Sequence, residues 1–145
     1  MPTYKSYLII AGLLLTACAS EPPKDAENGP VILNARANPD TVVMDNNFQP
    51  KTQAEILVEV QDFKSDIQEV RVTFKNVPLE ISLNHLSGTT WNTTLTPEQL
   101  KMLAIGDQTT QYDLTFSARD ASGRTRTVTN AASIKVKGPD LKRKL

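Results

Sequence analysis

From Ala54 onward apolar and polar residues alternate one by one, and this period of two limits the fold more than any other feature of the chain. Successive side chains of a strand point to opposite faces, so such a pattern means a sheet with one face on a core and the other toward water. Ala54, Ile56, Val58 and Val60 alternate with Glu55, Leu57, Glu59 and Gln61. Val70, Val72 and Phe74 alternate in the same way, then Leu79, Ile81 and Leu83, then Trp91, Thr93 and Leu95. Tyr112, Leu114, Phe116 and Ala118 follow, and the stretch from Val128 to Val136 closes the series with Ile134 and Val136 most securely inward. Turn chemistry separates the runs at Asp62 to Asp66, Asn76 to Pro78, Ser87-Gly88 and Asp120 to Gly123. The pattern predicts an all-β antiparallel β-sandwich of about seven strands, with a barrel as the alternative. One helical turn is expected at Thr96-Pro97-Glu98-Gln99: Thr96 can cap, Pro97 suits the first helical position, and Gln99 lies three residues after the cap.

The N-terminal region has a different character. Lys5 and the amine make a positive start, Leu8 to Leu15 is almost wholly aliphatic, and Thr16-Ala17 supplies small residues where a signal peptidase cuts. The apolar stretch is shorter than the ~20 residues a helix needs to cross a bilayer. Residues 18–29 are polar and carry two adjacent prolines without any apolar period, which reads as a flexible tether. Residues 138–145 form a short basic tail ending Leu141-Lys142-Arg143-Lys144-Leu145.

Leu15-Thr16-Ala17-Cys18 resembles the lipobox of bacterial lipoproteins. That resemblance implies that residues 1–17 are a lipoprotein signal peptide and that the Cys18 thiol carries a diacylglycerol on a new, acylated N-terminus. Ala19 and Ser20, in place of an Asp after the cysteine, imply the cell outer membrane, with the domain on its periplasmic face. The other reading is an ordinary secreted protein cut near Ala17 or Ala19. Several acyl chains hold a protein firmly, because each buried methylene contributes ~0.8 kcal/mol.

The body from 30 to 137 resembles bacterial immunoglobulin-like and fibronectin type III-like domains. The likeness rests on Val31 to Ala37, the Asn38-Pro39 kink and Thr41 to Val43; on Val60-Gln61-Asp62 through Ile67 and Val70-Arg71-Val72; and on Ala118 to Gly123 as Ala-x-Asp-x-x-Gly. It implies an immunoglobulin-like sandwich. It does not extend to antibody domains, whose paired cysteines are missing and whose strand-C tryptophan precedes the place of Trp91. A fold of this kind serves many functions, so the likeness speaks for architecture rather than activity.

Charge and cysteine content narrow the chemistry. With Lys5 removed in the leader, the mature chain carries 15 basic and 16 acidic side chains, a balance that gives no reason to expect nucleic-acid binding. The one cysteine, once a thioether, can be neither a disulfide partner nor a nucleophile. Asp62 and Asp66 sit between the second and third predicted strands and Asp120 between the sixth and seventh, loops that emerge at one end of such a sandwich. They are calcium candidates, since calcium takes oxygen ligands in irregular geometry, but turn formation accounts for them equally and no metal is expected. His85, the sole histidine, has no partner set for zinc or for a catalytic relay and is expected in a solvated loop. Trp91 belongs by its alternation to the core; an exposed Trp91 or Tyr112 would point to sugar stacking instead. Thr127 and Thr129, with Arg124 and Arg126, mark the last strand as a candidate partner-binding edge.

The expectation is a non-enzymatic lipoprotein with no cofactor beyond its covalent lipid, acting as a protein-interaction or assembly subunit of the bacterial envelope. The alternative is a glycan- or peptidoglycan-binding module.

Overall fold

The computed structural model describes residues 29–64 and 66–141; the leader, Cys18, the tether up to residue 28 and the tail beyond Leu141 lie outside the described residues. Among the described residues nine strands form: β1 (Val31–Asn38), β2 (Thr41–Val43), β3 (Ala54–Gln61), β4 (Ile67–Phe74), β5 (Glu80–Ser82), β6 (Asn84–Ser87), β7 (Thr90–Leu95), β8 (Thr109–Asp120) and β9 (Thr125–Lys137). One helix, α1 (Pro97–Leu103), joins β7 to β8. The strands divide into a four-stranded sheet in the order β1-β3-β7-β6 and a five-stranded sheet in the order β2-β9-β8-β4-β5.

This is the strand order of the immunoglobulin sandwich, A-B-E-D against G-F-C, with the first strand split between the sheets and β5 added beyond β4. The split falls at Asn38-Pro39, whose peptide bond is cis: β1 pairs with β3 antiparallel, and β2 crosses over to pair with β9 in parallel. All other ladders are antiparallel. The expected fourth strand is likewise divided. Ile81 lies in β5 against Val72, whereas Asn84 and His85 belong to β6 against β7, so the chain changes sheets around Leu83.

The alternating sets supply the core. Ile56 and Val58 from one sheet meet Val72, Leu114, Phe116 and Ile134 from the other, all buried. Register explains why the inward sets agree across strands: Val58 lies opposite Trp91, Val72 opposite Phe116, and Tyr112 opposite Ile134. β9 breaks its period at a bulge, where Leu114 and Phe116 oppose Ala132 and Val128 and Asn130 takes a φ of 54°. That bulge is why only Ile134 and Val136 of the last run reach full burial. Leu57 faces outward by alternation, yet it is buried between Arg36 and Asn92 on the flanking strands.

α1 closes one pole. Its capping box is complete: Gln99 N–H donates to Thr96 Oγ1 at 3.1 Å and Thr96 N–H donates to Gln99 Oε1 at 2.9 Å. Leu100 and Leu103 point into the core, and the buried Tyr112 hydroxyl donates to Leu103 O at 2.6 Å, a tie of the tyrosine-corner kind. At this pole Gly138 passes so close to Gly106 that a Cβ there would lie 1.8 Å from the Gly106 carbonyl oxygen. The opposite pole gathers the β3–β4, β6–β7 and β8–β9 turns and the start of β1, where Val31 pairs with Gln61.

Candidate functional site

At that second pole the three aspartates meet. The Asp62, Asp66 and Asp120 carboxylates each place an oxygen within 4.8 Å of the others. The loops are clasped by the backbone, as Ala121 N–H donates to Asp66 O at 3.0 Å. Within the cluster the three groups are not equivalent. Asp120, fully buried, has both oxygens engaged: Oδ1 accepts from Ser122 N–H, Ser122 Oγ and Arg124 N–H at 2.8–3.0 Å, and Oδ2 pairs with Arg124 Nε at 2.9 Å. Burial pushes its pKa up, but the hydrogen bonds from Ser122 and Arg124 outweigh it and hold the carboxyl below its ordinary value. Asp62 Oδ2 accepts from Lys64 N–H at 3.2 Å and Asp66 N–H at 3.4 Å, in the manner of an Asx turn. Asp62 Oδ1 and Asp66 Oδ1 are shielded from solvent without a hydrogen-bond partner, as is one terminal nitrogen of Arg124. A side-chain hydrogen bond to Asp62, desolvation and the charges of Asp62 and Asp120 raise Asp66 above the usual carboxylate range.

Two of the three carboxylates thus retain an oxygen that a cation or a proton would satisfy. The third is already neutralised by Arg124. Turn formation, the plainer reading of these residues, describes Asp62 and Asp120 well, because both bond to backbone within their own loops.

Beside this cluster lies an open cleft of about 690 Å³ between the sheets, lined by Val60, Gln61, Asp62, Ile67, His85, Gly88, Thr89 and Trp91. Trp91 is on the inward face, opposite Val58, but it lies at the end of the sandwich and is only half-buried. The expected core tryptophan is therefore a lining residue that packs against the core edge. Tyr112, in contrast, is buried. His85 is exposed on β6 rather than in a loop and sits directly opposite Trp91 in the ladder, their ring centroids 5.1 Å apart and tilted by 42°. A carbonyl can only accept, so Nε2 carries the proton and donates to Gly88 O at 2.8 Å. This pairing is legible in retrospect: folding the hairpin about Ser87-Gly88 sets residues 85 and 91 against each other.

The last-strand candidates are distributed differently. Thr127 and Thr129 are exposed, yet β9 is not the outermost strand: β2 covers it at residues 135–137 and β1 runs beside it. The stretch carrying Thr127 and Thr129 lies beyond the β2 ladder. Arg124 is held by Asp120, while Arg126 pairs across the ladder with Ala118 and has interactions of its own. On the outer face of the five-stranded sheet, Glu69 bridges Arg71 and Arg119 and Arg71 also reaches Glu80, a solvent-exposed network.

Among the described residues, no helix is long and apolar enough to cross a membrane. No family model and no curated protein matches the chain. Among solved structures, it is similar to the endo-β-1,4-mannanase from Thermotoga petrophila at 14% identity and a TM-score of 0.41, covering 73% of this chain and 20% of the mannanase. It is also similar to an engineered protein at 20% identity and a TM-score of 0.43, covering 75% of this chain and 20% of that one. The chain spans about one fifth of each, so the likeness concerns a segment of those proteins, and the fold assignment rests on strand order and register.

Proposed function

We propose that the protein is a lipid-anchored, non-enzymatic interaction subunit of the bacterial envelope, held at the periplasmic face of the outer membrane through Cys18. The lipobox sequence and the tether support the anchor. The observation that carries the interaction reading is the outer edge of β6. It is the last strand of its sheet, all four of its residues are exposed, and Leu86 is 56% accessible. Edge strands that remain solitary are guarded by short length, a bulge, lysine, proline or a covering loop. Asn84-His85-Leu86-Ser87 has neither lysine nor proline, and its short length and the register shift after His85 are its only guards.

The test has two arms. Replacing Cys18 with Ser should release the protein from the membrane fraction, and an intact mass without acyl chains on the native protein would refute the anchor. A photo-crosslinking residue at Leu86 should trap a discrete envelope protein in cells, whereas the same residue at Glu98 of α1 should not. Equal labelling at both positions, or none at Leu86 in the anchored protein, would refute the interaction reading.

A second reading, a glycan- or peptidoglycan-binding module, is favoured by the half-exposed Trp91 in an open cleft. Retention of the purified domain on peptidoglycan, lost on Trp91→Ala, would support it over the first.

A further inference from the structure

We infer that the cleft between β6, β7 and the β3–β4 turn is a receptor for a basic side chain, a lysine or arginine of an extended partner segment lying along β6. The inference rests on the interaction reading and specifies its chemistry. Three observations combine. The cleft has an apolar wall of Val60 and Ile67, long enough to cover an aliphatic stem. It has two aromatic rings in contact, Trp91 and His85, tilted by 42° to each other. A compact cation needs only part of an indole face, where the ring quadrupole is negative.

The polar groups point the same way. His85 spends its Nε2–H on Gly88 O, so that donor is not free to the cleft. The one carboxylate among the lining residues is Asp62, and no lysine or arginine lines the cleft with it. What the cleft lacks is therefore a donor with positive charge. An ammonium or guanidinium supplies both.

The geometry of β6 supplies the rest. His85 faces inward, opposite Trp91, and a strand added to the free edge of β6 continues that sheet, with alternate side chains on the same inward side. One of those residues would stand next to His85 at the mouth of the cleft. β9 runs away from this pole for 13 residues, so Lys137 at its end lies at the opposite pole. The proposed occupant is a basic residue of another chain.

Trp91 is the only tryptophan, so its emission and its indole Nε1–H resonance report on the cleft alone. The experiment titrates the full-length protein in nonionic detergent with end-blocked Ala-Lys-Ala, with Ala-norleucine-Ala as the uncharged control, and with an N-acetylglucosamine oligomer. The lysine peptide should give saturable Trp91 shifts that weaken with added salt, and Asp62→Asn should weaken them about fivefold. Asn keeps the oxygen that accepts from the loop, and an unchanged urea midpoint verifies that the variant is folded; if the midpoint falls, the salt dependence alone decides. Equal responses to lysine and norleucine peptides, salt-independent binding, or a response to the sugar oligomer alone would overturn the inference, the last in favour of a saccharide site. Loss of Leu86 crosslinks with cleft binding intact would instead count against the interaction reading itself.

Discussion

Of the four phenylalanines, two make a controlled test of the core. Phe116, central on β8 and opposite Val72 and Val128, is fully buried, whereas Phe63 in the β3–β4 turn is 81% exposed. Truncation to Ala removes the same atoms at both sites. At Phe116 it should cost ~3–5 kcal/mol, from lost transfer energy plus a cavity that the rigid ladders on both sides of β8 prevent from collapsing. At Phe63 it should cost no more than ~0.5 kcal/mol. A domain of this size is stable by roughly 5–15 kcal/mol, so Phe116→Ala uses up a large share of the total. The melting temperature should fall by roughly 10–20 °C, and the urea midpoint by roughly 2 M. Trp91 emission, the sole tryptophan signal, follows unfolding in both variants. Should Phe116→Ala fail to fold, Phe116→Leu gives a smaller loss of about 1 kcal/mol that still separates the two positions. Equal midpoints for Phe116→Ala and Phe63→Ala would refute the assignment of the inward face.

Three further changes probe the poles. Thr96→Ala deletes one half of the capping box of α1 and should cost about 1 kcal/mol in urea denaturation. Gly138→Ala should destabilise more than the cap change, because its Cβ would collide with the Gly106 carbonyl and backbone must move; Gly88→Ala, with open space around it, is the control for positive φ alone. Asp66→Asn should raise the melting temperature at neutral pH and change it little in acid. Asp66 has a raised pKa in the fold, so its contribution is favourable while it is protonated, below its unfolded value, and is lost as pH rises through the folded value. An Asp66→Asn variant less stable than the native protein at pH 7 would show instead that the charged form is satisfied, as a bound cation would satisfy it.

The parts of the fold that were legible are those in which a single physical rule acts. Period two placed β3, β4 and β8 and named their inward faces, because their alternating residues run through the middle of the sandwich. The N-cap chemistry of Thr96 to Gln99 placed α1 for the same reason, since all its signals are local. The misreadings come from position along the strand, which periodicity does not encode. Alternation gives the face of Trp91 correctly but not its depth, and at the end of β7 the opposite sheet no longer covers it. Leu79, Ile81 and Leu83 look like one strand because their period is unbroken, but the chain passes from one sheet to the other while keeping that period. The convergence of Asp62, Asp66 and Asp120 was readable from loop order; the neutralisation of Asp120 by Arg124 four residues later was not, because it depends on how tightly the β8–β9 turn folds back.

The arrangement of the poles bears on how a tethered domain would meet its partner. β1 begins next to the last residue of β3, so the chain enters the sandwich at the pole that holds the aspartates and the cleft, and it leaves from the opposite pole beside α1. A tether running from Cys18 would span ~3.1 Å per residue as polyproline II and no more than ~3.6 Å per residue fully extended, a few tens of Å in all. In the proposed anchored state the cleft would therefore stay within that distance of the lipid surface however the domain turns. A partner able to fill it would be one that lies close to the same membrane. Lengthening the tether with a Gly/Ser insert after Glu27 tests the point: if proximity to the bilayer selects the partner, crosslinks at Leu86 should decline or change identity as the insert grows. Crosslinks at Thr127, on a strand that begins at the same pole, should follow the same trend, and an unchanged pattern at both positions would mean that the partner is selected by the surface of the domain alone.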